Sequence, residues 1–191
     1  TNKLLHRMRV RRLQGEAIRD AILTVSGRLD SVMYGPPVAV HLTPFMEGRG
    51  RPRSGPLDGA GRRTLYQEVR RNFLSPMMLA FDMPQPLSTF GRRTDSNVPA
   101  QALIMMNDPF VVEQAKLWGK RMLAAGPDDG ARVRAAYALA FSREPSDAEQ
   151  VTASAFLTAQ AKAHGEAQPG EKAWADFCHA LLNVKEFVFL N

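Results

Sequence analysis

The sequence predicts an all-α fold, a compact array of about seven short helices with long irregular loops and little or no sheet. Three observations lead to this prediction. Apolar residues recur at helical spacing over most of the chain, prolines and capping residues stand where such segments begin, and strand-like alternation is confined to one short stretch. With 191 residues, 45% of them hydrophobic, the chain can bury a core without a disulfide or a metal.

The first third of the chain is predicted to hold one helix and two irregular segments. Residues 3–26 have apolar residues at intervals of three, four and five, which indicates a helix that ends at Gly27. Residues 36–42 combine prolines with a short alternation, which indicates an extended segment or an edge strand. Residues 47–61, EGRGRPRSGPLDGAG, predict a flexible basic loop, either a contact loop or a solvated insertion.

The middle of the chain carries repeated helix-start signals. Residues 62–73 are compatible with a short helix or a strand. Further along, Ser75, then Asn97 or Val98, and then Asp108 each precede a proline that suits the first turn of a helix. We therefore expect three consecutive helices here, each beginning at such a position.

The last third gives the clearest helical signals. The stretch DDGARVRAAYALAFSRE predicts one helix, and Ser146 and Glu149 have the spacing of a capping box that begins the next. The segment AWADFCHALLNVKEFVFLN predicts a closing helix followed by a short apolar tail. The helix after the capping box carries the apolar residues Val151, Ala155, Phe156 and Ala159 and is expected to end near Gly165.

No metal, cofactor or catalytic residue is predicted from the sequence. The four histidines are scattered, and the metal-binding motif HExxH, the nucleophile motif GxSxG and the phosphate-loop motif are all missing. The single cysteine, Cys178, lies within an apolar helical segment and is predicted to be a buried structural thiol. No run of 18 apolar residues indicates a membrane span.

The charge pattern is dominated by arginine. The net charge is +6, the pI is about 9.9, and 19 of the 25 basic residues are arginines, several of them in doublets. Such arginines either bind sulfate, phosphate or uronate groups or pair with buried carboxylates of the chain itself. Nucleic acid is not expected, because an aromatic stacking series and a recognised DNA-binding motif are both missing.

The stretch FGRRTDSNVPAQALIMMNDPFVVEQA raises the question of a site directly. If its polar side chains converge with a carboxylate, they form an anion-binding site; otherwise the stretch is a structural junction between helices. The candidate anion-binding residues are Arg92, Arg93, Gln101, Asn107 and Asp82.

Five ordered blocks resemble a known family. They are RRLQGEAIRDAILTVSGRLD, GRRTLYQEVRRNFLSPMMLAFDMP, GRRTDSNVPAQALIMMNDPFVVEQA, AAYALAFSREPSDAEQ and AWADFCHALLNVKEFVFLN. Together they resemble the secreted C-terminal domain of unknown function (DUF1553 type) of planctomycete and verrucomicrobial proteins. The chain departs from the expected pattern at Tyr34, where a glycine is more usual, and at Phe90, where a small residue or a cysteine is expected.

The resemblance implies an exported multidomain protein, located in the periplasm or at the cell surface. Residues 1–191 would form a single helical domain, the C-terminal fragment of a longer chain that often carries a cytochrome c-like domain upstream. No family catalytic residue can be carried over. The expected role is a non-catalytic accessory module that docks against the upstream domains, a protein partner or an anionic polysaccharide. The alternative is part of a secreted redox or polysaccharide-acting enzyme whose site is completed by other domains.

Overall fold

Residues 8–190 are described by the structure, a computed structural model. Within that range the chain forms eight α-helices and one small antiparallel sheet, so the predicted mainly helical fold class is confirmed. The strands are β1 (Arg11–Arg12) and β2 (Phe189–Leu190). The helices are α1 (Gly15–Ser26), α2 (Pro76–Ala80), α3 (Pro99–Asn107), α4 (Pro109–Leu123), α5 (Asp129–Phe141), α6 (Asp147–Ala163), α7 (Glu171–Leu182) and α8 (Lys185–Val188).

Most helix starts lie where the capping residues predict them. The side chains of Ser75 and Asp108 accept backbone N–H bonds at the first turns of α2 and α4, each followed by a proline. Ser146 and Glu149 form the predicted capping box of α6. Because these bonds satisfy orphan backbone donors locally, the sequence is sufficient to position these three starts.

The helices surround one main apolar core, to which all eight contribute buried side chains. Its centre is the α4–α7 pair, where Trp118 and Trp174 are completely buried. Gly119 lets the two backbones approach closely, since a Cβ atom there would lie 2.6 Å from the backbone nitrogen of Ala175. The close packing of α4 on α7 therefore depends on a small residue at position 119.

The predicted N-terminal helix is too long. Residues 3–7 lie outside the described part, but α1 begins only at Gly15, and Arg11–Arg12 pairs antiparallel with Phe189–Leu190 instead. The backbone N–H of Leu13 also donates to the carbonyl of Val188 at 2.8 Å. Long-range pairing with the end of the chain thus overrides a local helical pattern, which sequence periodicity cannot detect.

Three of the four apolar residues that the sequence analysis names on α6 are exposed. Val151 is 71% exposed, and Ala155 and Ala159 are exposed too, whereas Phe156 is partly buried against the core. The buried residues are Ala153, Leu157 and Ala161. Alanines on both sides of the helix made the two faces nearly equivalent by hydropathy, so contact with α7 decided between them.

Residues 28–74 form an irregular layer against α1. Arg19, in the middle of α1, is buried and donates to the carbonyls of Asp58 and Arg62 and to the hydroxyl of Thr64. A second, smaller apolar cluster inside this layer consists of Val40, Leu42 and Phe73. Residues 62–73, for which the sequence was compatible with a short helix or a strand, contain a short 3-10 turn and isolated β-bridges.

Candidate functional site

The carboxylate of Asp82 is held by donors from its own chain. Its carboxylate accepts bonds from the guanidinium of Arg12, from the backbone N–H of Ser96 at 2.8 Å and from the hydroxyl of Ser96 at 2.8 Å. The residue adopts a left-handed backbone with φ 60°, which aspartate tolerates better than most residues. The Arg12 side chain beneath it is only 4% exposed and also lies 3.2 Å from the carboxylate of Asp95.

Gln101 joins the same cluster from the first turn of α3. It is 6% exposed, and its amide nitrogen donates to the carbonyls of Ala80 at 3.0 Å and Ser96 at 3.2 Å. Its side-chain oxygen has no hydrogen-bond partner among residues 8–190. Because Gln101 also lines a groove, that oxygen is an available acceptor at the groove floor.

Arg93 is held by a carboxylate of α1. Its two terminal nitrogens donate to Glu16 at 2.7 and 2.9 Å, a two-pronged pair that lowers the pKa of Glu16 and raises that of Arg93. Arg92 is exposed and forms no ion pair within the described chain. Arg92, Arg93 and Asp82 border one shallow depression of about 260 Å³.

Asn107 does not join the other predicted site residues. It ends α3, and its amide donates to the carbonyl of Leu103 one turn earlier. The structure therefore brings Arg92, Arg93, Asp82 and Gln101 near one another around the start of α3. Asn107 lies at the other end of that helix. Anion binding by this group stays a prediction, and Arg92 is its one member without an internal partner in residues 8–190.

The largest concavity beside this segment is a groove of about 450 Å³. Arg12, Gln101 and Met105 form its floor, and it runs between α3 and the corner where α7 meets α8. Apolar side chains of that corner, Leu182 among them, form one wall, and Lys185 lies on the rim. Sequence reasoning missed the groove, because the apolar run of α3 resembles an ordinary buried helix.

The net charge is divided unevenly along the chain. Residues 1–73 contain 14 basic and six acidic residues, a net charge of +8, whereas residues 74–191 contain 11 basic and 13 acidic residues, a net charge of −2. The irregular layer, residues 28–74, contributes half of that excess, with eight basic and four acidic residues. The segment 41–73 alone has seven arginines against three acids.

Four exposed arginines of this layer, Arg49, Arg51, Arg53 and Arg71, define what we call the basic loop patch. None of them lies within ion-pair distance of a carboxylate in residues 8–190, and Arg51 donates only to the carbonyl of Thr43, at 3.4 Å. Free guanidinium groups at this density are the chemistry that recognises sulfate, phosphate and carboxylate groups.

The loop that carries the patch is tied at its base. The N–H of Gly55 donates to the carbonyl of Val40 at 2.9 Å, and the N–H of Leu42 donates to the hydroxyl of Ser54 at 3.0 Å. Gly48 lies against the ring of Phe73, which closes the turn that begins at Arg70. The turn with Arg71 and the loop with the other three arginines are thus adjacent.

The second half of the predicted loop 47–61 is packed against the protein. Asp58 accepts two bonds from Arg28, and Gly59 and Gly61 are buried. Gly61 has φ +74°, and a Cβ atom there would lie 2.2 Å from the carbonyl oxygen of Arg28. The exposed part of the loop is therefore its first half, up to Ser54; the mobility of the loop and its role in contacts stay predictions.

Three further arginines that belong to doublets are engaged by carboxylates. Arg63 lies 3.4 Å from Asp20, and Arg62 lies 3.9 Å from Asp30 and stacks on the ring of Tyr66. Arg70 pairs with Glu68 at 2.9 Å. Pairing with carboxylates of the chain thus describes these arginines, whereas the arginines of the basic loop patch are available to a ligand.

Cys178 and two of the histidines lie away from the candidate site. Cys178 is completely buried, and burial raises the pKa of its thiol. His179 contacts the carbonyl of Met105, and His164 lies 2.6 Å from Asp176. Within residues 8–190, no group of three potential metal ligands comes together, and no helix is both long and apolar enough to cross a membrane.

Comparison with known proteins gives one finding. The family model described as PSD1, protein of unknown function (DUF1553), matches residues 1–157. No curated protein and no solved structure matches this sequence.

Proposed function

The chain belongs to the PSD1 family of proteins of unknown function (DUF1553), and we propose that this member is a non-catalytic module that binds an anionic polysaccharide. The basic loop patch carries the proposal. Its four exposed arginines have no carboxylate partner in residues 8–190, whereas each arginine doublet of the chain has at least one member paired with a carboxylate.

The chemistry of the patch suits sulfate or uronate groups on a flexible polymer. A guanidinium offers a planar fork of donors to two oxygens at once, and several forks on one loop engage successive groups of a chain. Phe45, 95% exposed, stands at the entry of the same loop and offers an aromatic ring to the apolar face of a sugar. A polymer of the cell envelope fits export to the periplasm or cell surface, which is part of the same proposal.

The patch contains no acid–base pair in a cleft. The acids nearest in sequence are Glu47, which is exposed, and Glu68, which pairs with Arg70. General acid–base catalysis needs a carboxylate positioned against the substrate with its pKa shifted by its surroundings. The geometry supports binding without bond cleavage.

A matched pair of triple variants tests the proposal. Replacing Arg49, Arg51 and Arg53 by serine, or Lys120, Lys162 and Lys172 by serine, lowers the net charge from +6 to +3 in both cases. All six side chains are exposed, so the fold is expected to survive both changes. Binding to dextran sulfate, with neutral dextran as the blank, is then measured by calorimetry.

The loop variant is expected to lose about tenfold or more in affinity, and the lysine variant much less. Equal losses in the two variants would mean that only the overall charge attracts the polymer. A higher affinity for duplex DNA than for dextran sulfate, measured at one salt concentration, would contradict the polysaccharide class.

A further inference from the structure

The outer side of α3 is apolar and uncovered. Among its nine residues only Gln101 and Met105 are buried, whereas Leu103 is 59% and Met106 55% exposed. A surface helix normally turns such residues to the core and polar ones to water. This helix therefore presents an apolar side that the rest of residues 8–190 does not cover.

This apolar side is continuous with the groove of about 450 Å³ on the other flank of α3. Ala102 and Val98 line the groove, and Leu103 and Met106 follow Ala102 on the same helix at one and four positions further. Residues three and four positions apart are close neighbours on a helix surface, so Met106 lies next to Ala102 and also next to Leu103. The groove and the exposed side chains thus form one surface, which we call the α3 docking surface.

We propose that the α3 docking surface receives a single amphipathic segment of a partner protein, whose apolar ridge lies in the groove and whose carboxylate pairs with Lys185. This interaction is independent of polysaccharide binding, because the surface lies on α3 and α8 and shares no residue with the basic loop patch. A groove of this kind is a common receptor for an amphipathic helix.

The size of the surface favours one segment over a second copy of the chain. Val98, Leu103, Met106 and Val184 are between 40% and 59% exposed. Four such side chains offer on the order of 300 Å² of apolar surface, whereas a stable dimer buries about 800 Å² on each partner. One short segment covers the smaller area.

The polar groups of the groove define the partner's chemistry. Lys185 lies over the ring of Phe189, with its nitrogen 5.2 Å from the ring centre, and has no carboxylate within ion-pair distance in residues 8–190. Arg12 in the floor is already held by Asp82 and Asp95. The side-chain oxygen of Gln101 has no hydrogen-bond donor within residues 8–190. The segment therefore carries an acid that pairs with Lys185 and an N–H or O–H group that donates to Gln101.

A peptide-display selection tests the proposal on the whole chain. Random 12-residue peptides are selected against the protein, and the affinities of synthetic copies are measured by fluorescence anisotropy. The selected peptides are expected to share large apolar residues at helical spacing and at least one acid. Met106→Glu is expected to lower their affinity about tenfold or more, because a charge would be buried against the apolar ridge.

Two controls separate the proposed surface from unspecific effects. Val151→Glu places the same charge on another exposed apolar position, on α6, and is expected to leave the affinity unchanged. Lys185→Gln is expected to lower the affinity for peptides that carry the acid. It should change little the affinity for copies in which that acid is replaced by its amide. Urea unfolding of each variant checks that the fold is retained.

Three results would overturn the proposal. The first is a selection that enriches no peptide, and the second is a set of peptides that bind Met106→Glu as tightly as the parent chain. The third is self-association of the parent chain in sedimentation equilibrium that Met106→Glu abolishes, since the occupant would then be a second copy.

Discussion

The carboxylate of Asp82 accepts hydrogen bonds from donors within the chain, and most polar side chains around it also bond within the chain. Arg12, Ser96 and Gln101 meet at this carboxylate or one bond away from it. These bonds hold the segment before α3 against β1 and α2. The stretch GRRTDSNVPAQ is thus held in place by hydrogen bonds and ion pairs within the protein, and Arg92 remains exposed at its surface.

Replacing Asp82 by alanine is expected to destabilise the fold by about 3 kcal/mol, because it leaves the buried Arg12 guanidinium without its closest partner. Asp82→Asn is expected to cost less, since asparagine keeps a bonding oxygen and tolerates the left-handed backbone. Equilibrium unfolding in urea measures both. Arg92→Ala is the control and should change stability by less than about 0.5 kcal/mol; a loss as large as that of Asp82→Ala would show that Arg92 has a structural partner.

Arg143 joins two carboxylates from different helices. It donates to Glu149 of α6 and Glu186 of α8, and these bonds lower the pKa of Glu149 to about 2 and lower that of Glu186. A carboxylate whose pKa is depressed in the folded state stabilises the fold above its unfolded pKa. That contribution is lost as the pH falls from about 4.5 toward 2.

Stability is therefore expected to fall over this acid range by less than about 1 kcal/mol from this cluster, because both carboxylates are partly exposed and screened by solvent. Glu149→Gln should flatten the decline in the free energy of unfolding measured from pH 6 to pH 2. Glu113→Gln, which removes a single exposed pair with Lys116, should alter it less. An unchanged slope in Glu149→Gln would contradict the role of the cluster.

At the scale of elements, the contact between α4 and α7 organises the core. Trp118 and Trp174 belong to these two helices, and Gly119 lies where their backbones are closest. A glycine in a helix costs about 1 kcal/mol in propensity relative to alanine. Its presence at this position is explained by packing, which outweighs that cost.

Gly119→Ala is therefore expected to destabilise the protein by about 1–3 kcal/mol although alanine is the better helix former, because its Cβ would overlap backbone atoms of Trp174 and Ala175. Gly130→Ala, in the first turn of α5, is the matched control. Its Cβ would meet only side-chain ends, so it should be neutral or slightly stabilising. Thermal unfolding distinguishes the two, and equal effects would contradict the close approach.

Sequence reasoning succeeded where the signal is local and failed where the partner is distant. Caps at Ser75, Asp108 and Ser146 depend on residues within one turn and were predicted. The pairing of Arg11–Arg12 with the end of the chain and the exposed side of α3 depend on contacts far along the sequence. Four of the five candidate site residues lie near one another, and anion binding by them stays a prediction. The groove beside them and the unpaired state of the basic loop patch had no local signature in the sequence.

At the scale of the whole molecule, charge and hydrophobicity are separated. The irregular layer against α1 carries the basic loop patch, whereas α3 and α8 carry an uncovered apolar surface. A module with two distinct surfaces can hold a polymer with one and a protein segment with the other. This arrangement fits the accessory, exported role proposed above.

The most direct test of polysaccharide binding observes the arginine side chains themselves. In ¹⁵N NMR spectra, the Nε–Hε resonances are followed during titration with a size-defined sulfated hexasaccharide. Resonances of Arg49, Arg51, Arg53 and Arg71 are expected to shift and saturate together, whereas that of Arg134, exposed on α5, should not move. If all exposed arginines shift equally, or if those of the basic loop patch do not respond, the patch is not the binding site.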